Sequence, residues 1–261
     1  MFKDGIDPIY VGTGLGGNFT YRTPLQMGIN RVDALVHKVG LYQSLLNSII
    51  VFDGPVIDQA FVSDERCDVG SVQTIYFHAR WGCNSSDIIG GSIFINGTEY
   101  VTNGTGWISF EAAYSTVGER QWTVTGMSYR GVTSYYQFAS DPYIIWDRVQ
   151  INLSNSRVDV GSTASIVTAV YDYDDTEYDG IVTLNDTLTK TVVGLYGYTT
   201  QSIGGDSYNI TVFESNSAYV IFDRVNVKLS ITDDRIDVGS NAAITWFSIY
   251  EYDSAPFEGS I

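Results

Sequence analysis

Histidine and cysteine are almost absent from this 261-residue chain, at two each, so thiol-rich metal sites and multi-histidine centres are excluded. Basic residues are scarce as well: 14 Lys and Arg against 30 Asp and Glu leave a net charge of -16. That charge repels phosphate backbones and anionic lipid, so neither nucleic acid nor a membrane surface is an expected partner. No run approaches the roughly 18 apolar residues of a bilayer span, and the opening Met1-Phe2-Lys3-Asp4-Gly5-Ile6-Asp7-Pro8 lacks the apolar stretch of an export signal. Direct membrane insertion is not expected of this segment. Charged residues are 17% of the chain, below the ordinary ~25%. What is present is aromatic: 19 Tyr, 12 Phe and 5 Trp make 14%, a balance that favours strands over helices. With 44% hydrophobic residues the chain can bury cores in about two or three domains, which excludes disorder throughout.

The chain repeats itself. Arg66-Cys67-Asp68-Val69-Gly70-Ser71 returns as Arg157-Val158-Asp159-Val160-Gly161-Ser162 and again as Arg235-Ile236-Asp237-Val238-Gly239-Ser240, at periods of 91 and 78 residues. A second landmark precedes each one: Ile50-Val51-Phe52-Asp53, then Ile144-Ile145-Trp146-Asp147-Arg148-Val149, then Val220-Ile221-Phe222-Asp223-Arg224-Val225. Between the landmarks lie short alternating runs rich in β-branched and aromatic residues, broken by Gly, Asn, Asp or Ser. In the first complete repeat strands are expected over 56–62, 72–79, 92–95, 99–102, 107–111, 121–127, 132–138 and 143–149. In the second they are expected over 165–171, 180–184, 189–193, 199–201, 208–213 and 219–224. Seven or eight strands in about 90 residues is the density of an antiparallel β-sandwich.

The expected organisation is all-β: complete sandwiches over residues 56–149 and 150–225, a back half over 1–55 and a front half over 226–261. Tyr10-Val11, Gly14, Gly16 and Gly28 align with Tyr100-Val101, Gly104, Gly106 and Gly118 to define the first half; Gly239 aligned with Gly70 defines the second. No Pro- or Ser-rich linker intervenes, which implies a stiff series of domains. An isolated half sandwich exposes strand edges and one side of a core. The ends are therefore expected either to continue into neighbouring repeats of a longer protein or to complete one another head to tail between copies.

The landmark pair, a strand ending Trp146-Asp147-Arg148-Val149 followed by Arg157-Val158-Asp159-Val160-Gly161-Ser162, resembles the immunoglobulin-like tandem repeats of large prokaryotic, especially archaeal, cell-surface proteins. The resemblance covers essentially the whole chain and implies a stalk, spacer or adhesive surface outside the cell, often glycosylated, with no catalytic residues to carry over. It marks an architecture and specifies no activity. Cys67 and Cys83 are not spaced like the cysteines that link facing sheets in antibody domains, so antibody-like recognition loops are not implied.

Seven Asn-x-Ser/Thr sequons are glycosylation candidates: Asn18, Asn84, Asn96, Asn103, Asn152, Asn185 and Asn209. The alternative for Asn96, Asn103 and Asn185 is a hairpin turn needing positive φ. Cys67 and Cys83 flank one expected strand and are candidates for a disulfide closing a loop of about 17 residues, worth about 3 kcal/mol in the chain-entropy account. Asp172, Asp174, Asp175, Glu177 and Asp179 crowd hard oxygen ligands into one loop, the donor type calcium takes, but the spacing is not that of a helix-loop-helix site and a solvated acidic loop between Tyr171, Tyr173 and Tyr178 is the preferred reading, with calcium the weaker alternative. No other cofactor is expected.

Catalysis finds little support. His78 alternates with Phe77 and is expected on the surface; His37 lies in the N-terminal half-domain. Gly12-Thr13-Gly14-Leu15-Gly16-Gly17 resembles a dinucleotide fingerprint but opens no helix and aligns with the hairpin glycines Gly104 and Gly106. The expected cores are Ile75, Phe77, Ile93, Ile95, Trp122, Val124, Ile144 and Trp146 in one sandwich, and Ile166, Val170, Leu184, Tyr208, Ile210, Ile221 and Phe222 in the other. The function expected is a non-catalytic extracellular spacer or adhesion segment whose partners are neighbouring repeats or copies of itself. The alternatives are a filament subunit built by head-to-tail completion, and a carbohydrate-binding module with Tyr129, Tyr135 and Tyr136 as its aromatic platform, for which surface glycans are the partners.

Overall fold

Strand alternation governs the first sheet. In Gln73–Trp81 the side chains of Ile75, Phe77 and Ala79 point one way and are fully buried, while Tyr76, His78 and Arg80 point the other way. The computed structural model, which describes residues 2–3, 7–8, 28–36, 44–232 and 235–259, is all-β, with no helix among those residues. Trp107–Ala112, Gln73–Trp81 and Pro55–Val62 form antiparallel ladders, and Tyr136–Gln137 joins Pro55–Val62 in parallel. A second sheet of Val124–Ser128, Ser92–Ile95 and Thr98–Val101 supplies Ile93, Ile95, Val124 and Met127 to the buried set.

Two compact units result. One holds residues 1–65, 72–112 and 120–144; the other holds 66–71, 113–119 and 145–261. The division falls near residue 145 rather than at the expected boundary of 149 and 150. The short strand Arg66–Asp68 pairs in parallel with residues 145–147 of the strand Tyr143–Asp147, and residues 66–71 and 145–147 group with the second unit. In that unit Val167–Tyr171, Val149–Leu153 and Phe213–Ser215 form one sheet, and Ser156–Asp159, Ser217–Asp223, Gly194–Gly204 and Ile181–Leu184 form another. Val149, Ile151, Leu153, Ile166, Tyr198, Val220 and Phe222 are the centre of its core.

All eight residues expected in the first core are buried. Of the second set Ile166, Ile210 and Phe222 are buried, Val170, Leu184 and Ile221 are half-buried, and Tyr208 is 40% exposed. Four expected strands differ, each for a local reason. Residues 121–127 divide into Gly118–Gln121 and Val124–Ser128, because the Thr123 N–H goes to the Asn96 side chain and the Trp122 N–H to the Pro142 carbonyl. Of 132–138 only Tyr136–Gln137 is a strand, after a tight turn with positive φ at Arg130 and Gly131. The stretch 189–193 keeps a single bridge, Thr163 to Thr189, ahead of the long strand Gly194–Gly204. Of 208–213 only Phe213 enters a strand, since the Asp206 carboxylate takes the N–H groups of Tyr208 and Ile210.

The absence of a linker is literal. Tyr143–Asp147 and Val149–Leu153 are separated by Arg148 alone, and Ser217–Asp223 and Val225–Ile231 by Arg224 alone. Gly70, Gly161 and Gly239 have φ of 83°, 89° and 91°, so the turn after each Arg-x-Asp is the left-handed bend that glycine permits. A Cβ built on Gly161 meets nothing within 4 Å, so Gly161→Val would suffer backbone strain alone. A loss of about 1–2 kcal/mol in urea unfolding is expected; an unchanged midpoint would show that the bend relaxes freely.

Candidate functional site

The feature that recurs with the same residue types is an arginine clamp. Parallel pairing sets Ile145 opposite Arg66, Trp146 opposite Cys67 and Asp147 opposite Asp68. This register lays the Arg66 guanidinium beside the Asp147 carboxylate: Nε and Nη2 donate to Oδ2 at 2.9 and 2.6 Å. The same guanidinium donates to both oxygens of Asp174, at 3.2 and 3.0 Å. It lies over the Tyr171 ring at 4.3 Å and over Tyr208 at 5.0 Å. The Asp147 side chain is 0% exposed and that of Arg66 7%, whereas Asp174 keeps 34%. Burial works against the Arg66 charge, but the hydrogen bonds to Asp174 and Asp147 outweigh it and hold the guanidinium above its ordinary value.

The second oxygen of Asp147 is also used. Its Oδ1 accepts the N–H groups of Arg148 and Tyr173, tying the end of one repeat to the acidic turn of the next, inside the second unit. That turn closes through Tyr171 N–H to Thr176 O and Asp175 N–H to Tyr171 O, with Asp175 at φ 57°. One period later the same parts return. Arg157 is opposite Ile221 in a parallel ladder, donates to Asp253, lies 3.8 Å from the buried Asp223 Oδ2 and sits 4.3 Å from the Tyr250 ring centre. Asp223 Oδ1 accepts from Arg224 and Tyr252. The clamp is therefore read from three positions per repeat: the Arg of Arg-x-Asp-Val-Gly-Ser, the Asp after the aromatic residue, and the third residue of the acidic turn.

This arrangement decides the fate of the five carboxylates. Asp172 takes Arg148 Nε at 2.7 Å, Asp174 takes Arg66, and Asp179 accepts the Tyr171 hydroxyl at 2.7 Å as well as the Ser207 hydroxyl. Asp175 and Glu177 are exposed. The run does not converge on a common point, and among the described residues no three His, Cys, Asp or Glu side chains are gathered for a metal. Two of the five carboxylates, Asp172 and Asp174, are paired with arginine, and Asp179 is taken by the Tyr171 and Ser207 hydroxyls. The Asp68 carboxylate accepts Thr211 N–H at 2.7 Å and Val212 N–H at 3.0 Å.

The remaining candidates are dispersed. Cys67 is buried in the ladder opposite Trp146, Cys83 is half-buried in the turn after Gln73–Trp81, and the expected disulfide between them is not formed. The two lie in different compact units. Asn18 and His37 lie outside the described residues. Asn84, Asn96, Asn103, Asn152, Asn185 and Asn209 are all exposed. Asn84 and Asn103 use Oδ1 to accept both the N–H and the hydroxyl of Ser86 and Thr105, the third residues of their sequons. Asn96 and Asn185 instead stitch neighbouring backbone, accepting from Thr123 and Thr199 and donating to the Gln121 and Gly197 carbonyls. Positive φ holds for Asn96 and Asn209 but not for Asn103 or Asn185.

His78 corrects a further expectation. It points away from Phe77 as alternation requires, yet it is only 8% exposed, because the Trp107 ring covers it at 4.7 Å. Asp58 and Asp87 flank its ring nitrogens at 2.7 and 3.2 Å, and Arg80 donates to the other Asp58 oxygen at 2.6 Å. Tyr129, Tyr135 and Tyr136 form no flat exposed platform: all three are half-buried, and the Tyr135 hydroxyl is taken up by the Val124 carbonyl at 2.8 Å. An aromatic strip lies elsewhere, where the exposed Phe61 stacks on the half-buried Tyr76 at 4.9 Å and meets the half-buried Trp107 edge-on at 5.7 Å.

The clamp titrates in acid. Its hydrogen bond from Arg66, followed by those from Thr176, holds the Asp174 carboxyl down at about 2. A carboxylate lowered on folding contributes stability above its unfolded value near 4 and loses it as pH falls toward 2. Stability to urea should therefore drop between about pH 4 and pH 2, with a shallower drop in Asp174→Asn; equal slopes would remove Asp174 from the acid transition. No protein-family model and no curated protein matches this chain.

Proposed function

We propose that this chain is a non-catalytic extracellular segment: immunoglobulin-like β-sandwich repeats serving a cell-surface protein as a spacer or adhesive stalk. The observation that carries the reading is the clamp itself, repeated with the same residue types at successive Arg-x-Asp-Val-Gly-Ser elements. Within one compact unit the device ties the end of Tyr143–Asp147 to the acidic turn of residues 172–179, bracing the point where Arg148 alone separates two strands. The six exposed sequons suit a glycosylated surface, and the net charge of -16 keeps such a surface soluble. Single-molecule stretching between residues 53 and 225 tests the reading. Discrete unfolding events are expected, at lower force in Arg66→Ala; smooth extension without resistance would overturn it.

A second reading, carbohydrate binding, is favoured by the Phe61, Tyr76 and Trp107 strip beside the Asp58, His78 and Arg80 polar group. Aromatic faces next to hydrogen-bonding side chains suit the apolar faces and hydroxyls of sugars. Binding on a glycan array that is lost in Phe61→Ala would support it, and a parent protein that binds nothing would remove it.

A further inference from the structure

The two complete repeats differ by one hairpin, and its loss opens the side of the second. Their turns match bond for bond: Trp81 N–H on Ser86 O and Ile88 N–H on Ala79 O return as Tyr171 N–H on Thr176 O and Tyr178 N–H on Ala169 O. Phe77 and Ala79 therefore correspond to Val167 and Ala169. Counted from Gly91 and Gly180, which directly precede the next strands, Ile93 and Ile95 correspond to Val182 and Leu184. In the first repeat Thr98–Val101 and Trp107–Ala112 follow and lie antiparallel against Ser92–Ile95 and Gln73–Trp81. In the second the chain passes straight from Ile181–Leu184 to the bridge at Thr189. Val167–Tyr171 and Ile181–Leu184 are both left as edge strands.

Burial records the difference. Phe77, Ala79, Ile93 and Ile95 are buried, whereas Val167, Ala169, Val182 and Leu184 are half-buried at the rim of their core. A groove of about 500 Å³ runs there, lined by Val167, Ala169, Tyr178, Gly180 and Val182. In the first repeat Ile108, 4% exposed, stands opposite Phe77, and Gly106 O accepts the Ala79 N–H at 2.9 Å. The main chain of the second repeat is poised in the same way. Ser154 N–H on Ile166 O and Asp172 N–H on Arg148 O show that the even-numbered residues bond toward Val149–Leu153, so Val167 and Ala169 turn their main-chain groups to the open edge. Ala169 O holds Tyr178 N–H, and among the described residues no strand lies against Val167 on that side. Residues 163–171 contain neither a charge nor a proline, the usual guards of a bare edge.

We propose that this edge binds an extended segment of another protein chain, added antiparallel to Val167–Tyr171 in the place that Trp107–Ala112 takes in the first repeat. A branched aliphatic residue of the segment stands opposite Val167 with its side chain in the groove, and the carbonyl two residues before it accepts the Ala169 N–H. Main-chain bonds supply the attachment, and the alternation of apolar and polar side chains supplies the selectivity. The inference goes beyond the spacer reading and stands whether or not the protein lies at a cell surface.

A labelled peptide with the sequence of residues 105–113, titrated into the full 261-residue chain, tests it. Fluorescence anisotropy should show saturable binding, and hydrogen exchange should show the Val167 and Ala169 amides slowed by the peptide. Ile108 turns its main chain toward Phe77 in the first repeat, so a methyl group on that nitrogen of the peptide should weaken binding about tenfold or more. The same methyl on the Ser109 nitrogen, which faces away, should change it less than about twofold. Val167→Lys sets a charge on the edge and should abolish binding, with folding followed by circular dichroism; the methylated pair tests the same contact with no change to the protein. A peptide that does not bind, methyl groups that weaken it equally, or protection over residues 73–81 instead of Val167 and Ala169 would overturn the proposal. So would an edge already protected in the free protein by self-association, which would assign it to a second copy.

Discussion

Replacing Arg66 with alanine should destabilise the fold by about 3–5 kcal/mol, the largest effect expected of any single charged residue here. The reason is the carboxylate left behind. Asp147 has no exposed side-chain surface and receives two hydrogen bonds from Arg66 on one oxygen, so truncation strands a negative charge in the interior. Asp174 matters less, because a third of its side chain already faces water and can be solvated again. Arg66→Lys should recover only part of the loss, since an ammonium cannot reach Asp147 and Asp174 together or cover the Tyr171 and Tyr208 rings as a planar guanidinium does. Removing both charges with Arg66→Met and Asp147→Leu should cost much less than Arg66→Ala alone. Arg157→Ala is the internal comparison. There the Nε to Asp223 distance is 3.8 Å and Asp223 Oδ2 has no hydrogen bond, so less is lost, about half as much. Urea unfolding followed by circular dichroism reads all four. A loss under 1 kcal/mol in Arg66→Ala, or a larger loss in Arg157→Ala, would contradict the assignment of the clamp.

The parts of this clamp were visible in the sequence, but their meeting was not. Arg66 and Arg157 stood out as the first residues of a repeated element, and Asp147 and Asp223 as the ends of another. Periodicity places residues on faces; it does not say that Arg66–Asp68 turns back to run parallel to Tyr143–Asp147, a pairing across about 80 residues of chain. The internal signal was covariation between repeats: wherever Arg, Asp and a turn Asp occur in phase, they now touch, and Asn84 marks the repeat where the third is missing. Core positions were more legible because burial follows alternation, as Ile75 and Phe77 illustrate. Tyr208 failed that rule, since its ring packs on Arg66 and Tyr171 beside a charged site. His78 failed it in the opposite sense: alternation put it on the outer face, and only the Trp107 ring from a neighbouring strand removes it from water. Loop 208–213 reads as strand by composition, and the Asp206 carboxylate wins its N–H groups from any ladder.

The turn Asn103-Gly104-Thr105-Gly106 should separate two costs of adding a methyl group. Gly106 has φ of 73°, and a Cβ there would lie 2.6 Å from the Ala79 carbonyl oxygen and 3.1 Å from both Asp87 Cβ and His78 Nε2. A carbonyl in the middle of a strand cannot move aside as a flexible side chain can, and the Ala79 N–H is itself donated to Gly106 O at 2.9 Å. Gly106→Ala is therefore expected to cost about 3 kcal/mol, combining left-handed strain with displacement of the turn. Gly97→Ala shares the strain, at φ 83°, but meets nothing within 4 Å, so about 1 kcal/mol is expected. Gly104→Ala has neither problem and should be neutral or stabilising by about 0.5 kcal/mol. The difference between the first two isolates the close approach to Gln73–Trp81, which composition alone gives no sign of. Because Gly106 directly precedes Trp107, its displacement should also uncover His78 and disturb the strip formed with Phe61 and Tyr76. Tryptophan fluorescence of folded Gly106→Ala should then shift to the red in the absence of urea, while Gly97→Ala keeps the parent spectrum. Equal costs and equal spectra in the two variants would mean that the turn does not lean on the strand.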